Sequence, residues 1–278
     1  MSLTLVPTPI GNLRDITLRA LDALRECDAI VAEDTRVSRK LLSAHGITGK
    51  PLVSLHARSA PAALAAVVER GKTDRIAVVT DAGMPGISDP GGELVRAARA
   101  AGVGVEVLPG PTAFVCAAVL SGFALDRLTF AGFLPRAERD RRAAFAAALA
   151  SGTTHVWYES PHRVVAAVAT LEALAPDAEL FVARELTKLF EEHIYGSPAA
   201  VRAKLGIPPR GEFVLVLAPA ELSPADAQPI DDLELDAVID RELVGGRSAA
   251  TVAKSLAQRG LGKRAALYAR IVARKQRR

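Results

Sequence analysis

The 278-residue chain is 50% hydrophobic, with 35 Lys or Arg against 31 Asp or Glu, and contains only two cysteines. That length buries a substantial core and accommodates two domains. No apolar run reaches membrane-spanning length and the first residues read as a strand, not a basic-then-apolar leader, so a cytoplasmic location without membrane attachment is expected. Cys27 and Cys116 stand alone in predicted helices and the five histidines show no ligand spacing, which argues against a disulfide framework and against a metal site.

In chain order, strand-like runs at 3–7, 28–32, 52–55, 76–80 and 105–108 alternate with helical stretches near 17–26, 36–45, 60–71 and 91–102. Such alternation predicts parallel βαβ units with right-handed crossovers. A second set follows, with strands near 128–132, 154–158, 179–184, 190–195 and 213–218 and helices near 138–150, 161–174 and 198–205. The short spacer ELTKL between two of these strands predicts antiparallel pairing and a mixed sheet. Apolar segment 113–125 reads as a buried helix, with a subunit interface as the alternative. Segment 219–232, rich in Pro, Ala and Asp, reads as a linker, and 233–244, 248–259 and 263–276 read as helices. Ser248 is the expected N-cap of the second of these helices and Gly260 its stop. The expected fold class is α/β, with domains at 1–113 and 114–220 and a basic helical extension at 233–278.

Two loops stand out: TPIGNLRDIT at 8–17 and TDAGMPGISDPGG at 80–92. Each follows a strand-like run, at the sheet edge where open α/β folds bind ligands. Gly11, Gly83 and Gly86 permit close approach or positive φ, and Pro9, Pro85 and Pro90 stiffen the chain. The turn Pro109-Gly110-Pro111-Thr112 repeats the pattern, and the three loops together suggest a small-molecule site. Other motifs fail. Gly102-Val103-Gly104 precedes a strand, so it is no dinucleotide loop, and Ala66 stands where a P-loop before Gly71-Lys72-Thr73 needs glycine. Glu159-Ser160-Pro161-His162 has the residue types of a hydrolase triad but lacks a G-x-S-x-G elbow.

Charge is uneven. Residues 241–278 hold 11 bases and one acid, Glu242, whereas the rest of the chain carries more acids than bases. A basic segment with helical periodicity is the footprint of a polyanion partner, since displaced counterions drive binding to phosphates. The alternative is a frayed, solubilising terminus.

The segments 5–42, TDAGMPGISDPG at 80–91, LPGPTA at 108–113, FAGFLPR at 130–136, YESPHR at 158–163, ARELTKLFEE at 183–192 and GEFVLV at 211–216 occur in one order. Together they resemble the bacterial ribosomal RNA small subunit methyltransferase I family, ribose 2′-O-methyltransferases of the tetrapyrrole methylase superfamily. Met84 and Gly86 replace residues more often threonine and leucine there, and LHARSA at 55–60 departs from the family's His-x-His-Asn pattern, which leaves His56 without an assigned substrate role.

The resemblance implies two α/β domains holding S-adenosylmethionine in the cleft between them, largely by main-chain groups. It places cofactor contacts at Pro9, Gly11, Asp81, Ala82, Gly83, Met84, Pro85, Ile87, Ser88, Pro109, Gly110, Pro111 and Thr112, with Glu159, Ser160, Phe213, Val214 and Leu215 from the second domain. It also implies methylation of a cytidine in the decoding region of 16S rRNA, with naked rRNA or the small ribosomal subunit as partner, and a homodimer. Asn12 is a candidate for orienting the ribose; Asp34, Glu159 and Glu185 are candidate bases; Arg36, Arg163 and Arg184 are candidate phosphate grips. For Asp34 a helix N-cap, and for Glu185 and Lys188 an ion pair, are equally consistent with the residues. Alternatives for the whole chain are a corrinoid or porphyrin-precursor methylase and a non-catalytic RNA-binding ribosome-assembly protein.

Overall fold

The computed structural model describes residues 1–278 except 90, 207, 221–231, 245–246, 259–260, 263 and 277–278. The expectations for Pro90, for most of the 219–232 linker and for Gly260 therefore lie outside the described residues. Strands β1 (Ser2–Leu5), β2 (Ala29–Ala32), β3 (Leu52–Ser54), β4 (Arg75–Val79) and β5 (Gly104–Val107) form one sheet in the order β3-β2-β4-β1-β5. Every pairing in it is parallel.

Helices α1 (Leu18–Glu26), α2 (Thr35–Ala44), α3 (Pro61–Arg70) and α4 (Gly91–Ala100) are the crossovers. Period-two alternation sorts the strand side chains onto two faces. Leu3, Leu5, Ile76 and Val78 join Val67, Leu94 and Ala98 in one core, while Val6, Ile30, Ala77 and Val79 join Ala20, Leu24 and Leu42 in the other. Thr17 caps α1 and Asp34 caps α2 through their side-chain oxygens. Cys27, expected inside a helix, is the buried C-cap of α1.

The second sheet holds β6 (Leu128–Phe133), β7 (Thr154–Glu159), β8 (Leu180–Arg184), β9 (Glu192–Gly196) and β10 (Phe213–Leu217), in the order β6-β7-β10-β8-β9. Only β6 and β7 pair in parallel; β7–β10, β10–β8 and β8–β9 are antiparallel, as the short spacer between β8 and β9 requires. Helix α5 (Ala113–Ser121) contributes Ala117 and Ala118 to a core with Val156, Phe181, Val214 and Val216. Its other side is not covered: Val115, Val119 and Leu120 are exposed, so the expectation of a fully buried helix is corrected. The helix is apolar on all sides, which is why its sequence gave no periodic signal of an outer face. Helices α6 (Glu138–Ser151), α7 (Val164–Leu174) and α8 (Pro198–Lys204) complete this half.

Residues 1–144 and 154–218 form one compact unit containing both sheets, and 145–153 with 219–278 form a second. The boundary at 113/114 remains a proposal from sequence. In the second unit, α9 (Asp232–Val244), α10 (Ala249–Gln258) and α11 (Arg264–Gln276) bury Leu235, Ile239, Val252, Leu256, Leu267 and Ile271 against one another. Ser248 caps α10, accepting from the Thr251 N–H at 3.2 Å.

Candidate active site

The loops after β1 and β4 interlock. Thr8 and Gly83 exchange both peptide hydrogen bonds, at 2.9 and 3.0 Å, and the Thr8 hydroxyl donates to the Thr80 carbonyl at 3.2 Å. Gly83 and Gly86 have φ of +84° and +96°, and Ser88 takes φ of +66° in the same loop. Asp89 holds the loop closed by accepting from the Gly86 and Gly91 N–H groups at 2.8 and 2.7 Å. These bonds shape a cleft of about 450 Å³ at the carboxyl ends of β4, β7 and the start of β10.

Among the residues expected at a cofactor site, Asp81, Ala82, Gly83, Met84, Ile87, Ser88, Thr112, Glu159, Ser160, Phe213 and Val214 line this cleft. The others lie outside the cleft lining and remain proposals from sequence. A Cβ on Gly11 would meet Lys188 Cγ at 2.5 Å, and one on Gly110 would meet Pro7 Cγ at 2.3 Å, so both glycines serve chain crossings. Pro9 and Pro85 are buried beneath the loops, Leu215 is fully buried inside β10, and Pro109 and Pro111 flank the cleft without lining it.

Of the candidate catalytic residues, only Glu159 lines the cleft. Asn12 accepts from the Arg14 N–H and caps a short 3-10 turn at Leu13–Asp15. Asp34 caps α2 and pairs with Arg36 at 2.7 Å; the Arg36 hydrogen bonds hold its carboxyl at about 2, too acidic for an effective base at neutral pH. Burial pushes the Glu185 carboxyl up, but its bonds to Lys188 at 2.7 Å and to the Glu212 N–H at 3.0 Å outweigh this and leave it below its ordinary value. Arg163 pairs with Glu159 at 2.6 Å, and Arg184 with Glu192 at 2.9 Å and the Arg210 carbonyl at 2.7 Å, so both are committed within the fold. His56 bonds locally to Ser59.

Sequence reasoning missed Ile10, Glu33, Thr80, Asp89, Ala113, Phe133, Tyr158, Pro161, Leu186 and Glu212. Ile10, Thr80 and Asp89 sit inside the loops already singled out, and Tyr158 and Pro161 inside YESPHR, so taking whole motifs would have found them. Phe133, Leu186 and Glu212 likewise fall inside FAGFLPR, ARELTKLFEE and GEFVLV, but nothing within those motifs distinguishes them from their neighbours; the tertiary fold selects them.

The cleft has apolar walls (Ile10, Phe133, Tyr158, Leu186, Phe213 and Val214) and five carboxylates (Glu33, Asp81, Asp89, Glu159 and Glu212), with no Lys or Arg among the lining residues. Burial, helped by neighbouring Glu33 and Asp34, raises Asp81 despite its 2.9 Å bond from the Asp34 N–H. Glu159 is buried; one oxygen takes Arg163 and the Ser160 N–H, while Oε2 has no partner among the described residues. A buried carboxylate oxygen left unsatisfied is costly and marks a place for a donor from a ligand. Arg163 and Lys188, outside the lining, answer Glu159 and Glu212 at 2.6 and 2.9 Å, which leaves Glu33, Asp81 and Asp89 as surplus negative charge; with the apolar walls these suit a flat, cationic small molecule and disfavour one bearing phosphates.

Residues 2–201 match the family model described as tetrapyrrole (corrin/porphyrin) methylases. The chain is 37% identical over 269 residues to the ribosomal RNA small subunit methyltransferase I of Streptococcus pyogenes serotype M1, covering 96% of this chain and 93% of that one. It is 38% identical to the protein of the same name from Mesorhizobium japonicum, covering 98% and 91% of the two chains. Among solved structures it is similar to diphthine synthase, with a TM-score of 0.61 at 16% identity over 78% of this chain and 90% of that one. That last likeness concerns the fold alone.

Proposed function

The chain belongs to the tetrapyrrole methylase family and, within it, to the ribosomal RNA small subunit methyltransferase I group, and from that membership we propose that it transfers a methyl group from S-adenosylmethionine to the ribose 2′-oxygen of a cytidine in the decoding region of 16S rRNA. The observation that carries the cofactor reading is the cleft with five carboxylates and no lining cation. A sulfonium nucleoside brings positive charge and a flat apolar base, and both find complements there. Glu159 Oε2 is the natural acceptor for a cofactor donor, the peptide groups of 81–84 edge the site, and Phe213 and Val214 offer apolar surface. The cofactor, when bound, supplies an already activated methyl group.

The protein's own work is then alignment and exclusion of water. The ribose hydroxyl loses its proton as it reacts, and a carboxylate at the cleft accepts it. Asp81 has the placement and the raised proton affinity for this. Asp34 and Glu185 are withdrawn from that role by their ion pairs.

We also propose that two chains associate through the uncovered face of α5, where Val115, Val119 and Leu120 are exposed together on an apolar helix. No helix among the described residues is long and apolar enough to cross a membrane. The proposed substrate is 16S rRNA, naked or within the small ribosomal subunit, in the cytoplasm.

Ribose-methylation mapping of 16S rRNA from cells lacking the protein, with and without re-expression, tests the function. A single decoding-region cytidine that loses its methyl group and regains it on re-expression is the expected result. An unchanged methylation map in the deletion strain would refute the reading.

A further inference from the structure

The candidate phosphate grips taken from sequence are largely spent inside the fold, yet the cleft mouth has cations of another origin. Helix α2 starts at the cleft, because the Asp34 N–H that opens it donates to Asp81 Oδ1 at 2.9 Å. Its inner side buries Ser38, Leu41 and Leu42. Its outer side aligns Arg36, Arg39, Lys40 and Ser43 along one shallow groove, at the i, i+3, i+4, i+7 spacing of a single helix face. No acid lies on that face beyond Asp34, which is bonded to Arg36.

Arg39 and Lys40 are exposed and have no carboxylate within ion-pair distance among the described residues. By contrast Arg19 and Arg25 of α1 and Arg70 of α3 each pair with an acid. Two unpaired cations beside an acidic cleft divide the surface by charge. The cleft favours a cation, and the shelf next to it favours an anion running past the mouth.

We propose that the outer face of α2 is a phosphate shelf, on which Arg39 and Lys40 hold the backbone of single-stranded RNA flanking the nucleotide presented to the cleft. The proposal rests on the RNA reading of the cleft. The shelf reads backbone and not sequence, since a guanidinium and an ammonium gripping phosphates carry no base information and no aromatic residue lines the groove for a base to stack on. It is carried by the unit that holds both sheets, and its cations are a different set from those of the basic C-terminal helices.

The test compares full-length wild type, R39Q/K40Q and the charge-keeping R39K/K40R in binding 16S rRNA and a mixed-sequence single-stranded RNA at several salt concentrations. Removing the two cations lowers the slope of log affinity against log salt by about 1.4, at about 0.7 per phosphate on single strands. R39Q/K40Q should show that decrease for both RNAs, with unchanged S-adenosylmethionine affinity, and R39K/K40R should restore the slope. Equal slopes and affinities in wild type and R39Q/K40Q overturn the shelf. Methyl transfer to the rRNA by wild type is read in parallel. A wild type without transfer whose double variant still shows the lower slope keeps the shelf and removes the proposed substrate.

Discussion

Thr8 and Gly83 bond to each other through both peptide groups, so the loops after β1 and β4 are one structural unit and not two independent turns. Gly83 can do this because its φ is +84°, a region that costs other residues roughly 1–2 kcal/mol. A Cβ there would also stand 3.4 Å from Ile10 Cγ2, a cleft residue. Gly83→Ala is therefore expected to lower stability by about 1–2 kcal/mol and to weaken S-adenosylmethionine binding at least tenfold in the folded protein. Denaturant titration and calorimetry on the same preparation check both. Undiminished cofactor affinity would mean that this loop only ties strands together.

Asp81 gives the site its pH dependence. Its carboxyl is raised by burial and by the neighbouring acids, so the fold favours its protonated form. Stability from this group is fully present at low pH and is lost as pH rises from the ordinary aspartate value of about 3.9 through the raised folded value. Asp81→Asn should accordingly melt at a higher temperature than wild type at neutral pH, with the difference vanishing in acid. Cofactor affinity should fall in wild type as acid protonates Asp81 and should be lower but flatter in the variant. Melting curves and calorimetry across pH 3–8, roughly spanning that range, decide the matter; parallel pH profiles for the two proteins would place Asp81 outside binding.

Glu159 Oε2 is buried without a partner among the described residues, which makes Glu159→Gln a direct probe of the cofactor reading. The amide keeps the size and removes the charge. A hydrogen bond to a charged group contributes about 1.5–3 kcal/mol, so cofactor affinity should drop by one to two orders of magnitude. Part of the change will appear as lower stability, because Arg163 loses its ion-pair partner at 2.6 Å. Binding measured well below the melting temperature separates the two effects. Wild-type affinity in that window would show that the ligand does not reach Glu159.

What was legible from sequence followed from repetition along the chain. Continuous apolar runs such as Ile76–Val79, separated by helical stretches, announced a parallel sheet covered on both faces, and in the fold Ile76 and Val78 enter one core while Ala77 and Val79 enter the other. The loop at 80–92 was legible because Gly83 and Gly86 have no other reason to cluster with prolines. Gly11 and Gly110 look alike in sequence, and in the fold their missing side chains make room for Lys188 and Pro7. Asp34 carried its own correction: an aspartate directly before a helical run is an N-cap pattern, and its carboxylate caps α2. Glu212 and Phe133 lay inside the motifs GEFVLV and FAGFLPR but could not be told from their neighbours there, because strand order, not spacing, carries them to the cleft.

The uncovered face of α5 predicts an association that one charge would break. Val119 is 64% exposed on a helix with no polar outer face. Val119→Glu puts the charge at a largely exposed position, so the fold should keep its stability while the proposed dimer dissociates. Sedimentation equilibrium over a concentration series reads the change directly. A monomeric wild type, or a variant with an unaltered association constant, would refute α5 as a subunit interface.

The basic tail is less available to RNA than its composition suggests. Arg270 pairs with Asp236 at 2.7 Å, and Arg274 bridges Asp236 and Asp240 at 2.7 and 2.6 Å, so two of the eleven bases hold α11 against α9. Arg247 is likewise bonded to Glu242. Counting bases from 241 missed this, because the acids that answer Arg270 and Arg274 lie earlier, in α9. Lys254 and Arg264 are exposed and have no carboxylate partner among the described residues. Two classes of variant should therefore behave differently. Arg274→Gln is expected to loosen the three-helix packing and lower the melting temperature of that unit, with little change in the salt slope of RNA binding. Lys254→Gln with Arg264→Gln should leave melting unchanged and reduce the slope by about 0.7 for each phosphate no longer neutralised. Salt-dependent titrations with 16S rRNA on both variants distinguish the roles. If the Lys254 and Arg264 double variant binds with the wild-type slope and affinity at every salt concentration, these two cations are a solvated helical surface, and RNA contact falls to other parts of the molecule.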